Sequence, residues 1–167
     1  MKLRVNATPA ERERMKRFGA TAVPMPLSEM LSSLQSGVID GTMRGISIYT
    51  NFNLHTFGTV LTETQDTMLV CFAALSKKWL DTLPADLRKT VIDEARALQG
   101  FARDQGIREN VTLAAKWAER GGTIIKFSDA DMVELRKRLA TVGDDVTKAD
   151  ANASAFFQRV KAVAAKY

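Results

Sequence analysis

Apolar positions in the first third of the chain fall into short runs, separated by segments with helical spacing. KLRV (Lys2 to Val5), TAVPM (Thr21 to Met25) and the stretch that begins with VIDG (Val38 to Gly41) are expected strands. Between the first two, Thr8, Pro9 and Glu11 have the spacing of a capping box and open a helix to about Phe18, where Gly19 stops it. Between the second and third, Ser28 caps EMLSSLQS, whose Met30, Leu31 and Leu34 share one face before Gly37 ends it. Strand and helix alternating at this short spacing predict a parallel α/β sheet.

Beyond Gly45 the period is lost. ISIYTNFNLHTFG is expected to form short helical turns, and VLTET and TMLVCFAALS (Thr67 to Ser76) are expected strands, the second apolar enough to be central in a sheet. Ser76 caps KKWLDTL, and Pro84 opens a long helix through Arg120. Its apolar stripe runs Leu87, Val91, Ala95, Leu98, Ala102, Val111, Leu113, Ala114, Trp117, with Gly100 and Gly106 as weak points. After Gly121 and Gly122, TIIKF is a strand, Ser128 caps a helix from Asp129 to about Val142, and a last helix covers Asp144 to Lys166. The change from alternating to helical character near Leu75 divides the chain.

Composition narrows the classes further. With 167 residues and 46% hydrophobic content the chain can bury a core. Its net charge of +5 comes from 24 basic and 19 acidic residues that are interleaved, as in ERERMKR and DADMVELRKR. Such interleaving marks solvated helix faces, not a nucleic-acid patch. The single cysteine, Cys71, excludes an internal disulfide framework and a CxxC site, and within MLVCFAAL it is expected to be a buried, inert thiol. That run is too short to span a bilayer. MKLRVNATPAERERMKR has no apolar signal core, so either the protein is cytoplasmic or its true start lies further upstream.

Candidate chemistry is sparse. His55 has no second histidine and no carboxylate at metal-ligand spacing, so a surface or structural role is expected. GxSxG, GxGxxG, Walker A and HExxH patterns are all absent. The carboxylate pairs Asp129/Asp131 and Asp144/Asp145 stand where helices begin and suit the helix dipole. No enzyme, cofactor or metal is expected. Two arginines remain: Arg4 in the first strand and Arg44 just past VIDG, at the edge where open α/β sheets bind ligands. An arginine there can grip a carboxylate through two parallel hydrogen bonds; the alternative for each is a surface ion pair.

MKLRV followed by GATAVPMPLSEMLSSLQSGVIDG resembles the extracytoplasmic solute-binding subunit of tripartite ATP-independent periplasmic (TRAP) transporters, of the C4-dicarboxylate-binding type. Members carry a GMKLRVP-like strand and then a segment of the form GA-x-P-x-PM-x-FSEVY-x-ALQ-x-GVVDGQENP. The later segments ALSKKWLDTLPADLRKTVIDEA and ERGGTIIKFSDADMVELRK are similar to the family as well, so the resemblance covers essentially the whole chain.

The resemblance implies a periplasmic-binding-protein-like α/β lobe with a short mixed sheet and long C-terminal helices. On this reading residues 1–66 are the second ligand-binding lobe, 67–76 a hinge-crossing strand, and 77–167 a mostly helical region packing across the lobes. Arg4 falls on the family's substrate-carboxylate arginine. Leu27 falls where many members have a cleft-facing Phe. Thr42, Met43, Arg44 and Gly45 replace QENP, so Arg44 stands where members often use an Asn to bind substrate, and Asn6 replaces the usual Pro. The expected substrate-binding residues are therefore Arg4, Arg44, Leu27 and Thr42, the ligand an organic acid, and the partners a small carboxylate and the membrane permease subunits, in the periplasm. Full members have a signal peptide and a first lobe ahead of this segment. The chain is thus expected to be a C-terminal portion that binds weakly or not at all alone and self-associates through apolar surface left by the missing lobe. A remnant without function, a basic cytoplasmic regulatory or nucleic-acid-binding module, and a small hydrolase using His55 are the alternatives.

Overall fold

The computed structural model describes residues 1–67 and 72–166. Strand β1 (Lys2–Val5) is the centre of a three-stranded sheet, flanked by β2 (Thr21–Pro24) and β3 (Gly41–Thr42), both parallel to it. The register places Arg4 opposite Val23 on one side and Thr42 on the other. The parallel α/β expectation holds. The third strand starts later than expected, at Gly41, and the Ile39 side chain before it is buried in the core.

Helix α1 (Pro9–Phe18) connects β1 to β2. The Thr8 hydroxyl accepts from the Glu11 amide at 3.2 Å, and Gly19 adopts φ 74° so that the chain can return its amides to the last helical carbonyls. The capping box is only half formed, because the Glu11 carboxylate accepts from the backbone N–H of Asn6 at 2.6 Å, not from that of Thr8. A single turn at Leu27–Glu29 leads into α2 (Met30–Gln35).

Two compact units make up the described chain. Residues 1–44, 62–66 and those from 125 onward form the first; those from 45 to 61 and from 67 to 124 form the second.

In the first unit, Val5, Met15, Met30 and Ile39 form a core with Leu135 of α6 (Asp129–Leu139) and Val142 of α7 (Val142–Thr147). Arg17 staples α1 to the junction of those helices. Its Nη1 donates to the Arg138 carbonyl at 2.8 Å and the Thr141 hydroxyl at 2.9 Å, and its Nη2 donates to Asp145 at 2.5 Å. The expected helix to Val142 stops at Leu139. The expected final helix is two, because Asp150 caps α8 (Ala151–Ala164) by accepting from the amides of Asn152 and Ala153.

In the second unit α3 (Ile46–Asn51) packs on α5 (Ala85–Glu119), with α4 (Lys77–Thr82) ahead of it. Trp117 is fully buried, with Tyr49 and His55 edge-on to its ring at 6.0 and 6.3 Å. A Cβ at Gly122 would lie 2.3 Å from that indole, so only glycine fits there. Helix α5 runs unbroken through Gly100 and Gly106. Its expected apolar stripe is buried only at Leu113 and Trp117, because α3 covers the helix near its C-terminal end; Leu98 and Val111 are exposed. Strands β4 (Val60–Glu63) and β5 (Thr123–Lys126) form a second, two-stranded sheet.

The expected strand over 67–76 fares differently. Met68 to Cys71, with the buried-thiol expectation, lie outside the described residues, and Phe72 to Ser76 have no strand geometry and are exposed. Phe72 is 88% exposed, so apolar character alone did not draw this segment into a sheet. Among the described residues no helix is long and apolar enough to cross a membrane.

Candidate functional site

Arg4 sits near the C-terminal end of β1 and is 2% exposed, an unusual depth for a guanidinium. Its Nε and Nη2 both donate to the Met25 carbonyl, at 3.0 and 2.7 Å. The carbonyl is available because β2 ends at Pro24, one residue earlier. With that side of the fork occupied, Nη1 is buried without a partner. Leaving a buried donor unpaired costs about 1–3 kcal/mol.

Arg44 follows β3 and repeats this pattern. Its Nη1 lies 3.4 Å from the Glu11 carboxylate, while its Nη2 is buried and unpartnered. Glu11 is itself held by Asn6, through the backbone N–H at 2.6 Å and the side-chain amide at 2.9 Å. Burial, and then the positive charge of Arg44, lower the proton affinity of Arg4 from its ordinary value, and Glu11 opposes them. The two guanidinium groups therefore share one electrostatic environment, with a single carboxylate between them.

The neighbouring Arg14 shows what a satisfied arginine looks like in this unit. It donates to the buried Asp66 through Nε at 2.8 Å and Nη2 at 2.5 Å, and the Thr64 hydroxyl donates to the other Asp66 oxygen. Arg14 and Asp66 cancel. Arg4, Arg44 and Glu11 retain one positive charge in excess, in a place with little water to screen it.

Of the other expected residues, Thr42 is buried opposite Arg4, and its hydroxyl donates to the Arg4 carbonyl at 3.4 Å. Leu27 lies two residues beyond Met25, half-buried in the turn before α2. The structure thus draws Arg4, Thr42 and Arg44 together, with Leu27 on the adjoining turn. Sequence reasoning missed Glu11 and the Met25 carbonyl. Glu11 was legible only as a helix cap, and its one further signal was that Asn6 and Arg44, which it joins, both depart from the family pattern.

A hollow of about 220 Å³ in the same unit is lined by Thr64, Gln65, Asp66, Leu135 and Arg136 among others, and includes neither Arg4 nor Arg44. Its buried charge, Asp66, is already neutralised, so the unpaired guanidinium edges define the site better than the hollow does. Among the described residues no three His, Cys, Asp or Glu side chains cluster to hold a metal ion. His55 packs on Trp117, in keeping with a structural role.

Arg4 is thus a buried arginine near the end of a parallel strand, with one guanidinium nitrogen left without a partner. The model of the family described as bacterial extracellular solute-binding protein, family 7, matches residues 1–150, and the chain belongs to that family, whose members are solute-binding proteins and not enzymes.

The ectoine-binding periplasmic protein TeaA of Halomonas elongata is 25% identical over 143 residues, which span 84% of this chain and 42% of TeaA. Among solved structures, a TRAP periplasmic solute-binding protein of Sulfitobacter sp. NAS-14.1 with bound α-D-taluronate matches with a TM-score of 0.82 at 23% identity, over 95% of this chain and 51% of that one. Another, from Xanthobacter autotrophicus Py2 with bound β-D-galacturonate, matches with a TM-score of 0.78 at 23% identity, over 96% of this chain and 53% of that one. At such identities these likenesses speak for the fold. The chain spans about half the length of the proteins it matches.

Proposed function

We propose that this chain is the Arg4-bearing part of a TRAP-type solute receptor that captures an organic acid, a dicarboxylate or related carboxylate, and delivers it to a membrane permease from the periplasm. The observation that carries the reading is the unpartnered, buried Nη1 of Arg4. The Met25 carbonyl occupies the Nε side of the fork, so the open edge consists of Nη1 and the second hydrogen of Nη2. Two parallel donors on that edge match the two oxygens of a carboxylate.

Arg44 offers a further donor, Thr42 holds β1 and β3 in register beside Arg4, and Leu27 supplies an apolar wall. The role is capture, as for the solute-binding family to which the chain belongs, and a bound acid acts by favouring the state that contacts it best. Uronates are bound in both solved structures named above, and TeaA is an ectoine-binding protein, so carboxylates are the natural first ligands to test. Because the chain spans half the length of those proteins, binding by these residues alone is expected to be weak: one ion pair must offset the ligand's lost freedom. Self-association belongs to the same proposal. Phe101, Ile107 and Val111 stand exposed on α5, and sedimentation velocity over a range of concentrations tests it.

The experiment is a thermal-shift titration with hexuronates, C4-dicarboxylates and 2-oxo acids, on the chain and on Arg4→Met. A ligand of the folded state raises Tm by mass action, by about 2.7 kcal/mol of stability at a hundred times its Kd. The expected result is a rise with at least one acid that is lost in Arg4→Met. A rise of equal size in Arg4→Met overturns the assignment.

A further inference from the structure

Asn6 and Arg44, two of the departures from the family pattern, touch the same side chain. Glu11 accepts from the Asn6 backbone and amide on one side and from Arg44 Nη1 on the other. A carboxylate serving only as a helix cap would bond the Thr8 amide. Here that amide donates to the Asn6 carbonyl at 2.8 Å, and Glu11 is free to hold Arg44. The helix start is thereby converted into a brace for a second guanidinium.

From this geometry we infer that Glu11 sets the charge of the ligand: the site takes a monocarboxylate that carries a neutral hydroxyl or carbonyl oxygen, and discriminates against dicarboxylates. The inference rests on the reading of Arg4 as the carboxylate anchor and narrows it. Arg44 is half neutralised before any ligand arrives, because Glu11 occupies its Nη1. A first carboxylate on the open edge of Arg4 balances the remaining positive charge. A second one, reaching for Arg44 Nη2, would share that guanidinium with Glu11 and be repelled by it. A hydroxyl or carbonyl oxygen accepts the same Nη2 hydrogen bond without this repulsion. Glu11 is thus a positioning residue, acting through Arg44 and through charge, and the chemical class selected is that of hydroxy or oxo monocarboxylic acids, sugar acids included.

The test follows the guanidinium 1H–15N resonances of Arg4 and Arg44 during titration of the 167-residue chain with D-galacturonate and, separately, with succinate. Expected for the wild type is saturable movement of both sets of resonances with galacturonate, and at least roughly tenfold weaker binding of succinate, the scale of one unit-charge repulsion in a partly screened site. Glu11→Gln keeps the acceptor for the Asn6 amide and removes the charge. It is expected to shift the galacturonate-to-succinate preference toward succinate by roughly tenfold while Arg4 still responds.

Equal binding of both acids by the wild type, or an unchanged preference in Glu11→Gln, overturns the role of Glu11 and leaves the Arg4 anchor standing. Arg4 resonances that ignore both acids overturn the anchor and this inference together. Should Glu11→Gln melt early, Arg44→Gln supplies the second variant. Removing the cation that Glu11 offsets leaves Arg4 facing an unbalanced carboxylate, so galacturonate binding should weaken markedly; unchanged binding there counts against the inference.

Discussion

Arg4 holds the Met25 carbonyl with one side of its guanidinium, through Nε at 3.0 Å and Nη2 at 2.7 Å, and this grip leaves Nη1 buried and unpartnered. The same contact rigidifies the arginine and orients its open edge. A lysine has no such fork. Arg4→Lys keeps the charge but gives up either the Met25 contact or the second bond to a carboxylate, and is expected to weaken acid binding by at least about tenfold. Calorimetric titration with the tightest acid from the thermal screen reads it, and an unaltered Kd would show that charge alone suffices.

Arg14 should behave in the opposite way. Asp66 has only 4% of its side chain exposed, and Arg14 is its cationic partner. Arg14→Met strands that carboxylate and is expected to destabilise the chain by about 3 kcal/mol, the low end for breaking a buried pair because the Thr64 hydroxyl still donates to Asp66. Asp66→Asn in the same chain should recover much of the loss. Urea unfolding of the two variants decides the point, and acid binding by the folded fraction of Arg14→Met should be retained.

Gly143 lies under the ring of Phe157, where an added Cβ would come within 2.1 Å of the aromatic carbons. Gly143→Ala forces α7 and α8 apart or turns the ring, with an expected cost of about 1–3 kcal/mol. A Phe157→Leu background should reduce the cost, and a double-mutant cycle in chemical denaturation measures the coupling.

Asp144 accepts from Lys161 and from Gln158, and these bonds hold its proton affinity below the ordinary carboxylate value. A depressed folded-state pKa means stabilisation that is full above the unfolded pKa and disappears as pH falls through the folded one. Tm should therefore decline on acidification below the usual carboxylate range, and Asp144→Asn should flatten part of that decline. Both groups are solvent-exposed, so the difference should shrink in high salt.

Much of this structure was legible in one dimension because it rests on local rules. Thr8, Pro9 and Gly19 bound α1 by satisfying amides and carbonyls within a few residues of themselves. Ser76 and Ser128 cap α4 and α6 as their spacing predicts. The parallel sheet followed from a helix standing between successive strands, since such a crossover returns the chain to run the next strand in the same direction, and Arg4 stood out as a charge inside an apolar strand. Where the expectations failed, a neighbour was missing or a cap went unread. The stripe on α5 predicted burial along its whole length, but α3 covers only the end near Leu113 and Trp117. The division of the last helix at Asp150 depended on a cap that interrupts the chain without interrupting its composition.

The sequence by itself determined most of the elements, their order and the family, since these depend on periodicity, caps and a motif that survives in linear form. Tertiary structure alone decided which arginine is free. Arg4, Arg14, Arg17 and Arg44 are alike as letters. Only the fold shows Arg14 matched by Asp66, Arg17 by Glu13 and Asp145, and Arg4 and Arg44 each left with a buried, unpartnered nitrogen beside the single carboxylate of Glu11. The reason is range: a hydrogen-bonded cap is settled within one turn of chain, whereas the balance of charge at a buried site is a sum over groups that only folding brings together.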